Sequence, residues 1–308
     1  MEPWRAPRHG GMRGSFAARQ RRPGFRDRAE DARSLHPGYG LATDFDAQRG
    51  LMKNIDVLFL HGIGGAARIW GPQQASFAQA SFRPVAIDLP GYGARPPVDA
   101  LSFELLATDA EDTIDRARLD RPVLVAHSMG GMIAQTMLRR RPHGYRAVVL
   151  SGTSPAFGNP SGDFQKKFLA DRLGPLAAGK TMPELARAIV DGMMGPAPDP
   201  AGRALAVDCM GAVPAATYRA SVLCLIAFDE RGNLGSIEVP VLALAGAHDR
   251  NAPSAMMERM AAKIPGARYV CLPGVGHLPN LEAPALFDGA ILDFLRSIPA
   301  HGDTGTAR

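Results

Sequence analysis

The sequence predicts an α/β protein: a doubly wound, mostly parallel sheet with an all-helical cap inserted into it. Three observations carry that expectation. Short apolar runs, each about the length of one strand, alternate with segments of helical spacing. Each run stops at a polar or glycine-rich cluster, where the carboxyl ends of strands in such sheets open into site-forming loops. Between residues 155 and 235 the alternation lapses, and only helical segments remain.

The runs come in order along the chain. Residues 55–60 (IDVLFL) end at His61-Gly62, residues 84–87 (PVAI) at Asp88 and the turn PGYG, and residues 123–126 (VLVA) at His127-Ser128. Residues 147–150 (AVVL) stop at Ser151-Gly152, and two more runs, 241–245 (VLALA) and 267–271 (ARYVC), follow the helical stretch. Near-continuous apolar runs suit strands buried on both faces of a parallel sheet. Residues 103–119, 129–141 and 253–264 lie between strands and carry helical spacing. Within 155–235 four helices are expected, over 163–173, 182–194, 201–210 and 215–228, separated by Gly and Pro. The expected organisation is therefore a core of residues 41–154 and 236–308, a cap of residues 155–235 lying as a lid over the site, and an Arg-rich disordered tail of residues 1–40.

A chain of 308 residues fits one catalytic domain with an insertion, and 46% hydrophobic with 21% charged residues suits a globular protein with a large core. The net charge of +5 is confined to one end. Residues 1–40 contain nine arginines and four acids, leaving 26 basic against 26 acidic residues in the remainder. A neutral folded part lacks the clustered basic face that phosphate binding needs, so no nucleic-acid partner is expected. No apolar run reaches the roughly 18 residues of a membrane span, and the arginine-rich start lacks the apolar segment of a secretory signal. A cytoplasmic protein is expected, with Met12 and Met52 as further candidate starts. Cys209, Cys224 and Cys271 are odd in number and match no metal or disulfide spacing, so they are expected as buried thiols, with no metal site.

The chemistry concentrates at the strand ends. In AHSMGG, residues 126–131, a serine follows an apolar strand and opens a helix, the setting of a nucleophile elbow. Small neighbours are required by so sharp a turn, and Ala126 and Gly130 supply them. A serine hydroxyl needs a base, and the base an orienting group. His277, in PGVGHLP after the last strand, is the candidate base; Asp249, in AGAHDR after the strand before it, is the candidate orienter. His248 and His127 adjoin Asp249 and Ser128, but side chains on successive residues point apart. Asp88 precedes a Pro-Gly-Tyr-Gly turn that it is expected to cap or brace. The glycine-rich loop His61-Gly62-Ile63-Gly64-Gly65 is suited to present amides to an oxyanion, with the N–H groups of Ile63 and Met129 as the expected donors.

From about residue 55 to 297 the chain resembles the α/β-hydrolase superfamily. The HGIGG loop, the DLPGYG turn, the AHSMGG elbow, the AGAHDR acid loop and the GVGHLPNLEAP histidine loop occur in the family's order and spacing. Ala126 departs from the family's G-x-S-x-G pattern, and residues 41–54, with Asp44, Asp46 and Arg49, make a poor version of the usual N-terminal strand hairpin. The cap is similar to those of carboxylesterases, enol-lactonases, cofactor-free haloperoxidases and carbon–carbon bond hydrolases. This resemblance implies a Ser128–His277–Asp249 triad acting without metal or organic cofactor on a small ester or lactone. Relatives that cleave carbon–carbon bonds often carry Gly-Pro-Gly after the HG pair, where this chain has Ile63-Gly64-Gly65; epoxide and haloalkane relatives carry Asp in place of Ser128. A binding protein without turnover is the third reading, although no triad member is missing. Met193, Met194, Met210, Leu223, Leu225, Ile226 and Phe228 give the cap apolar faces, which points weakly to a hydrophobic substrate. Lys166, Lys167 and Arg172 could meet a substrate carboxylate or simply form a solvated helix face.

Overall fold

Strands buried on both faces need helices above and below, and the chain supplies them in alternation. A computed structural model describes residues 55–158 and 161–299. The expected tail of residues 1–40 and the poor hairpin of residues 41–54 lie outside the described residues. Among the described residues six strands form one sheet: β1 (Asp56–Leu60), β2 (Arg83–Ile87), β3 (Val123–His127), β4 (Ala147–Ser151), β5 (Val241–Gly246) and β6 (Arg268–Leu272). Their order is β2-β1-β3-β4-β5-β6, and every adjacent pair is parallel. Every residue of β1, β3, β4 and β5 is buried, while the edge strands β2 and β6 are partly open. The chain runs outward from β1 to β2, then crosses back to β3. That reversal opens a crevice beyond the carboxyl ends of β1 and β3, where ligands bind in open α/β sheets.

The helices in chain order are α1 (Gly71–Gln79), α2 (Phe103–Ala117), α3 (Met129–Arg140), α4 (Asp163–Ala177), α5 (Met182–Asp191), α6 (Pro200–Ala212), α7 (Ala215–Leu225), α8 (Ser254–Ala261), the short α9 (Pro279–Glu282) and α10 (Pro284–Ser297). Ser102 starts α2 by accepting the Leu105 N–H at 3.1 Å, and the left-handed Arg118 ends it. All of α3 but its last two residues is buried, so it is the central helix behind the elbow. Aromatic contacts tie the β1 side to α1 and α10: Phe59 lies 5.1 Å from Trp70 and 5.4 Å from Phe77, and Trp70 lies 6.2 Å from Phe287.

Helices α4 to α7 form the insertion between β4 and β5. Its two ends are clipped together: Phe157 N–H donates to the Phe228 carbonyl at 3.0 Å and Glu230 N–H to the Pro155 carbonyl at 2.8 Å. This clip explains why the helix expected over 215–228 stops at Leu225. The segment expected over 163–173 continues to Ala177, and the one over 182–194 ends at Asp191. Helices α1 and α10 were not among the expected segments. One expectation is corrected. Cys209 and Cys224 are buried free thiols, but Cys271 is exposed, because β6 is an edge strand with one side uncovered. Among the described residues no helix is long and apolar enough to cross a membrane.

Candidate active site

The crevice takes its shape from a tight turn. Between β3 and α3 the chain reverses at Ser128, whose φ of 55° and ψ of −118° lie in a region that non-glycine residues rarely adopt. Such a conformation costs on the order of 1–3 kcal/mol and persists only where its surroundings over-determine it. Here Ser128 N–H donates to the Ser151 carbonyl at 2.9 Å, and Thr153 Oγ1 donates to the Ser128 carbonyl at 2.8 Å. A Cβ on Gly130 would stand 2.3 Å from the Leu60 carbonyl oxygen, so only glycine fits there. Ala126 is fully buried in β3 and is accommodated where the family pattern has glycine.

The three residues expected to form a triad come together although Ser128 lies more than a hundred positions before the other two. Ser128 Oγ lies 3.1 Å from His277 Nε2, and His277 Nδ1 lies 2.8 Å from Asp249 Oδ2. The other carboxylate oxygen, Asp249 Oδ1, accepts the N–H groups of Asn251 at 2.8 Å and Ala252 at 2.9 Å. The Asp249 side chain is completely buried. Burial opposes its charge, but the His277 ring and the two backbone donors outweigh it and hold the carboxyl below the usual range. An ionised Asp249 fixes the proton of His277 on Nδ1, leaving Nε2 free to accept from the serine.

Several neighbouring residues hold this chain of groups, among them His127, His61 and Asp88, and Glu282, for which the sequence suggests no role. His127 Nε2–H donates to the His277 carbonyl at 2.7 Å; burial first, then the neighbouring His277, lowers its pKa to about 3. His61 donates from Nδ1 to the Gly62 carbonyl at 2.8 Å and accepts the Leu89 N–H on Nε2 at 3.1 Å; burial lowers its pKa to about 4. Both rings are therefore neutral struts. Asp88 Oδ1 accepts the Ala67 N–H at 2.6 Å, and Arg95 donates to the Asp88 carbonyl at 2.8 Å, so Asp88 braces the glycine-rich loop as well as its own turn. Buried Glu282 gathers three backbone donors, Gly276 at 2.8 Å, Leu278 at 2.8 Å and Gly195 of the insertion at 2.7 Å. His277 N–H donates to the Met193 carbonyl at 2.7 Å, a second bond between the histidine loop and the insertion. A carboxylate five positions after a candidate base was visible in GHLPNLE, but its distant partner Gly195 was not.

The N–H groups of Ile63 and Met129 have no acceptor among the described residues, and Gly62 lies so close to the elbow that a Cβ there would fall 2.9 Å from Ser128 Cβ. Ser128 and His277 open onto a cavity of about 220 Å³ between the sheet and the insertion. Its walls are mostly apolar, with Ile63, Met132, Phe157, Phe168 and Met210 among them. Of the insertion residues expected to be apolar contacts, Met193, Met210 and Leu225 line the cavity, whereas Leu223 is exposed and Phe228 packs 4.5 Å from Phe103. His248 is exposed, and it is Asp249 that meets His277. Among the described residues no group of His, Cys, Asp or Glu could hold a metal ion.

A six-stranded parallel sheet, a strained strand-to-helix serine and a hydrogen-bonded Ser-His-Asp chain define a class, and comparison with known proteins agrees with it. Residues 57–290 match the alpha/beta hydrolase family, and the chain belongs to that family of enzymes. It is similar to a protein of Variovorax paradoxus that carries the provisional name carbamate hydrolase RutD, at 28% identity over 80% of this chain and 93% of that protein. It is also similar to the pimeloyl-(acyl-carrier protein) methyl ester esterase of Nitrosospira multiformis, at 27% identity over 78% of this chain and 94% of the esterase. Among solved structures, the enol-lactonase from Burkholderia xenovorans superposes with a TM-score of 0.68 at 26% identity, covering 79% of this chain and 92% of the lactonase.

Proposed function

We propose that the protein is a cofactor-independent serine hydrolase that cleaves a carboxylic ester or lactone of a small hydrophobic substrate through an acyl-enzyme on Ser128. The observation that carries this reading is the Ser128–His277–Asp249 hydrogen-bonded chain opening on an apolar cavity. Ser128 Oγ attacks the carbonyl carbon as His277 Nε2 takes its proton, and Asp249 stabilises the imidazolium that forms. The carbonyl oxygen becomes an oxyanion facing the Ile63 and Met129 N–H groups, whose lack of a protein acceptor suits them to this role. His277 returns the proton to the leaving oxygen, then activates water to release the acid and free Ser128. The names of the similar esterase and lactonase support the same bond type.

Residues 155–235 act in this proposal as the cap, with residues 41–154 and 236–308 as the core. The cavity is smaller than the roughly 300–1,000 Å³ common for drug-sized ligands, which favours a short acyl group. A cytoplasmic setting belongs to the same proposal and is compatible with three unpaired cysteines.

The test is a chain-length series of p-nitrophenyl esters with wild type and Ser128→Ala, alongside labelling by a fluorophosphonate. Activity peaking at short acyl chains, lost with the label in Ser128→Ala, is the expected outcome. Labelling without turnover of any ester would move the reading to carbon–carbon bond cleavage. No labelling at all would refute a serine hydrolase.

A further inference from the structure

The cavity is electrically lopsided. Among the described residues its walls carry the cationic side chains of Arg172 and Arg250, and no Asp or Glu lines it. Arg172 is set apart from its neighbours on α4. Lys166 lies 3.4 Å from Asp163 and Lys167 lies 2.7 Å from Asp171, both exposed on the solvent side. Arg172 is half-buried, turned to the cavity, and has no acidic partner among the described residues. Its guanidinium stands 5.7 Å from the centre of the Phe168 ring, and its charge and a hydrogen bond it makes to the buried Tyr218 hydroxyl oppose the rise that burial imposes on that phenol.

A half-buried cation without a counter-ion is unfavourable, because desolvation is not offset by pairing. Arginine is also the side chain whose planar fork matches a carboxylate by two parallel hydrogen bonds, and the Phe168 ring and Tyr218 hydroxyl hold the guanidinium at the cavity. The cavity therefore joins Ser128, an apolar wall and a guanidinium without an acidic partner within a small volume.

Resting on the serine-hydrolase reading, we infer that the substrate is a short ester or lactone that carries a free carboxylate, and that Arg172 binds that carboxylate while Ser128 attacks the carbonyl at the other end. Arg250, exposed at the same cavity, adds positive potential that draws the anion inward.

The experiment separates this subsite from the hydrolase reading by measuring binding without turnover. Calorimetry compares monomethyl glutarate with its neutral counterpart methyl pentanoate on Ser128→Ala and on Ser128→Ala/Arg172→Met. The expected result is roughly ten- to hundredfold tighter binding of the anionic half-ester to Ser128→Ala, weakening as salt is raised. In the double variant that preference collapses, and Arg172→Lys in place of Met restores only part of it. Equal affinity for the two compounds, or an equal preference with and without Arg172, overturns the inference. Fluorophosphonate labelling of wild type reports independently on the serine, so a labelled enzyme with no anion preference would retain the hydrolase and lose only the subsite.

Discussion

Asparagine in place of Asp249 changes one atom, and the surrounding hydrogen bonds dictate how the new amide must turn. Oδ1 of Asp249 accepts two backbone N–H groups, from Asn251 at 2.8 Å and Ala252 at 2.9 Å, while Oδ2 accepts only His277 Nδ1–H at 2.8 Å. In Asp249→Asn the single amide oxygen keeps the two backbone donors, and the NH₂ group is left facing His277. It donates to Nδ1, so the ring proton moves to Nε2, where it points at Ser128 Oγ 3.1 Å away and blocks its role as acceptor. Turning the amide over would restore the correct tautomer, but it would leave two buried N–H groups facing another donor, at about 1–3 kcal/mol each. The expected loss in kcat is about a thousand- to ten-thousandfold, equivalent to about 4–5.5 kcal/mol of barrier, with KM little changed. The assay is turnover of a short p-nitrophenyl ester, with thermal melting as the control for folding. A folded Asp249→Asn protein that keeps kcat within tenfold of wild type would refute this account of the base.

Two further outcomes follow from the buried groups around the site. Glu282→Gln keeps one oxygen for three donors, so at least one of the Gly195, Gly276 and Leu278 N–H groups meets a nitrogen, at about 1–3 kcal/mol. Melting should fall by several degrees and kcat should fall more than KM changes, since two of those donors flank His277; a lowered melting point with unaltered kcat would make Glu282 a brace of the fold alone. Acid should weaken the fold through His61, which in the folded protein titrates near 4 against about 6.5 in the unfolded chain. Between those values only the unfolded chain gains the proton, so stability is full above about pH 6.5 and falls by about 3 kcal/mol as pH drops to 4. Denaturant unfolding across that range should show a shallower slope for His61→Gln, and identical slopes would contradict the assignment.

The parts of the fold that were legible in the sequence are those whose burial is continuous. β1, β3, β4 and β5 read directly as apolar runs because both faces are covered, and each ends at a residue that the structure brings to the crevice. Legibility failed where burial is one-sided or polar. Helix α1 reads GPQQASFAQ, with Gln73 and Phe77 as its buried residues, and so carries little periodicity. Cys271 looked like the end of a buried run because nothing in the sequence marks β6 as an edge. Ser128, His277 and Asp249 were found because each follows a strand within a local motif. The bonds that Glu282 makes to Gly195, and Met193 to His277, were not, since those partners lie far along the chain and are backbone groups, which leave no trace in residue type. Arg172 was visible beside Lys166 and Lys167, but only packing separates the side chain facing the cavity from the two facing water.

The two bonds that join Met193 and Gly195 to the histidine loop have a mechanical consequence. An insertion that lifted as one rigid body would pull on the strip of backbone that seats His277 and draw its ring away from Ser128 and Asp249. Phe164 of α4 also borders the cavity and is 66% exposed. Passage beside Phe164 would leave the Met193 and Gly195 bonds unbroken, and with them the seat of His277.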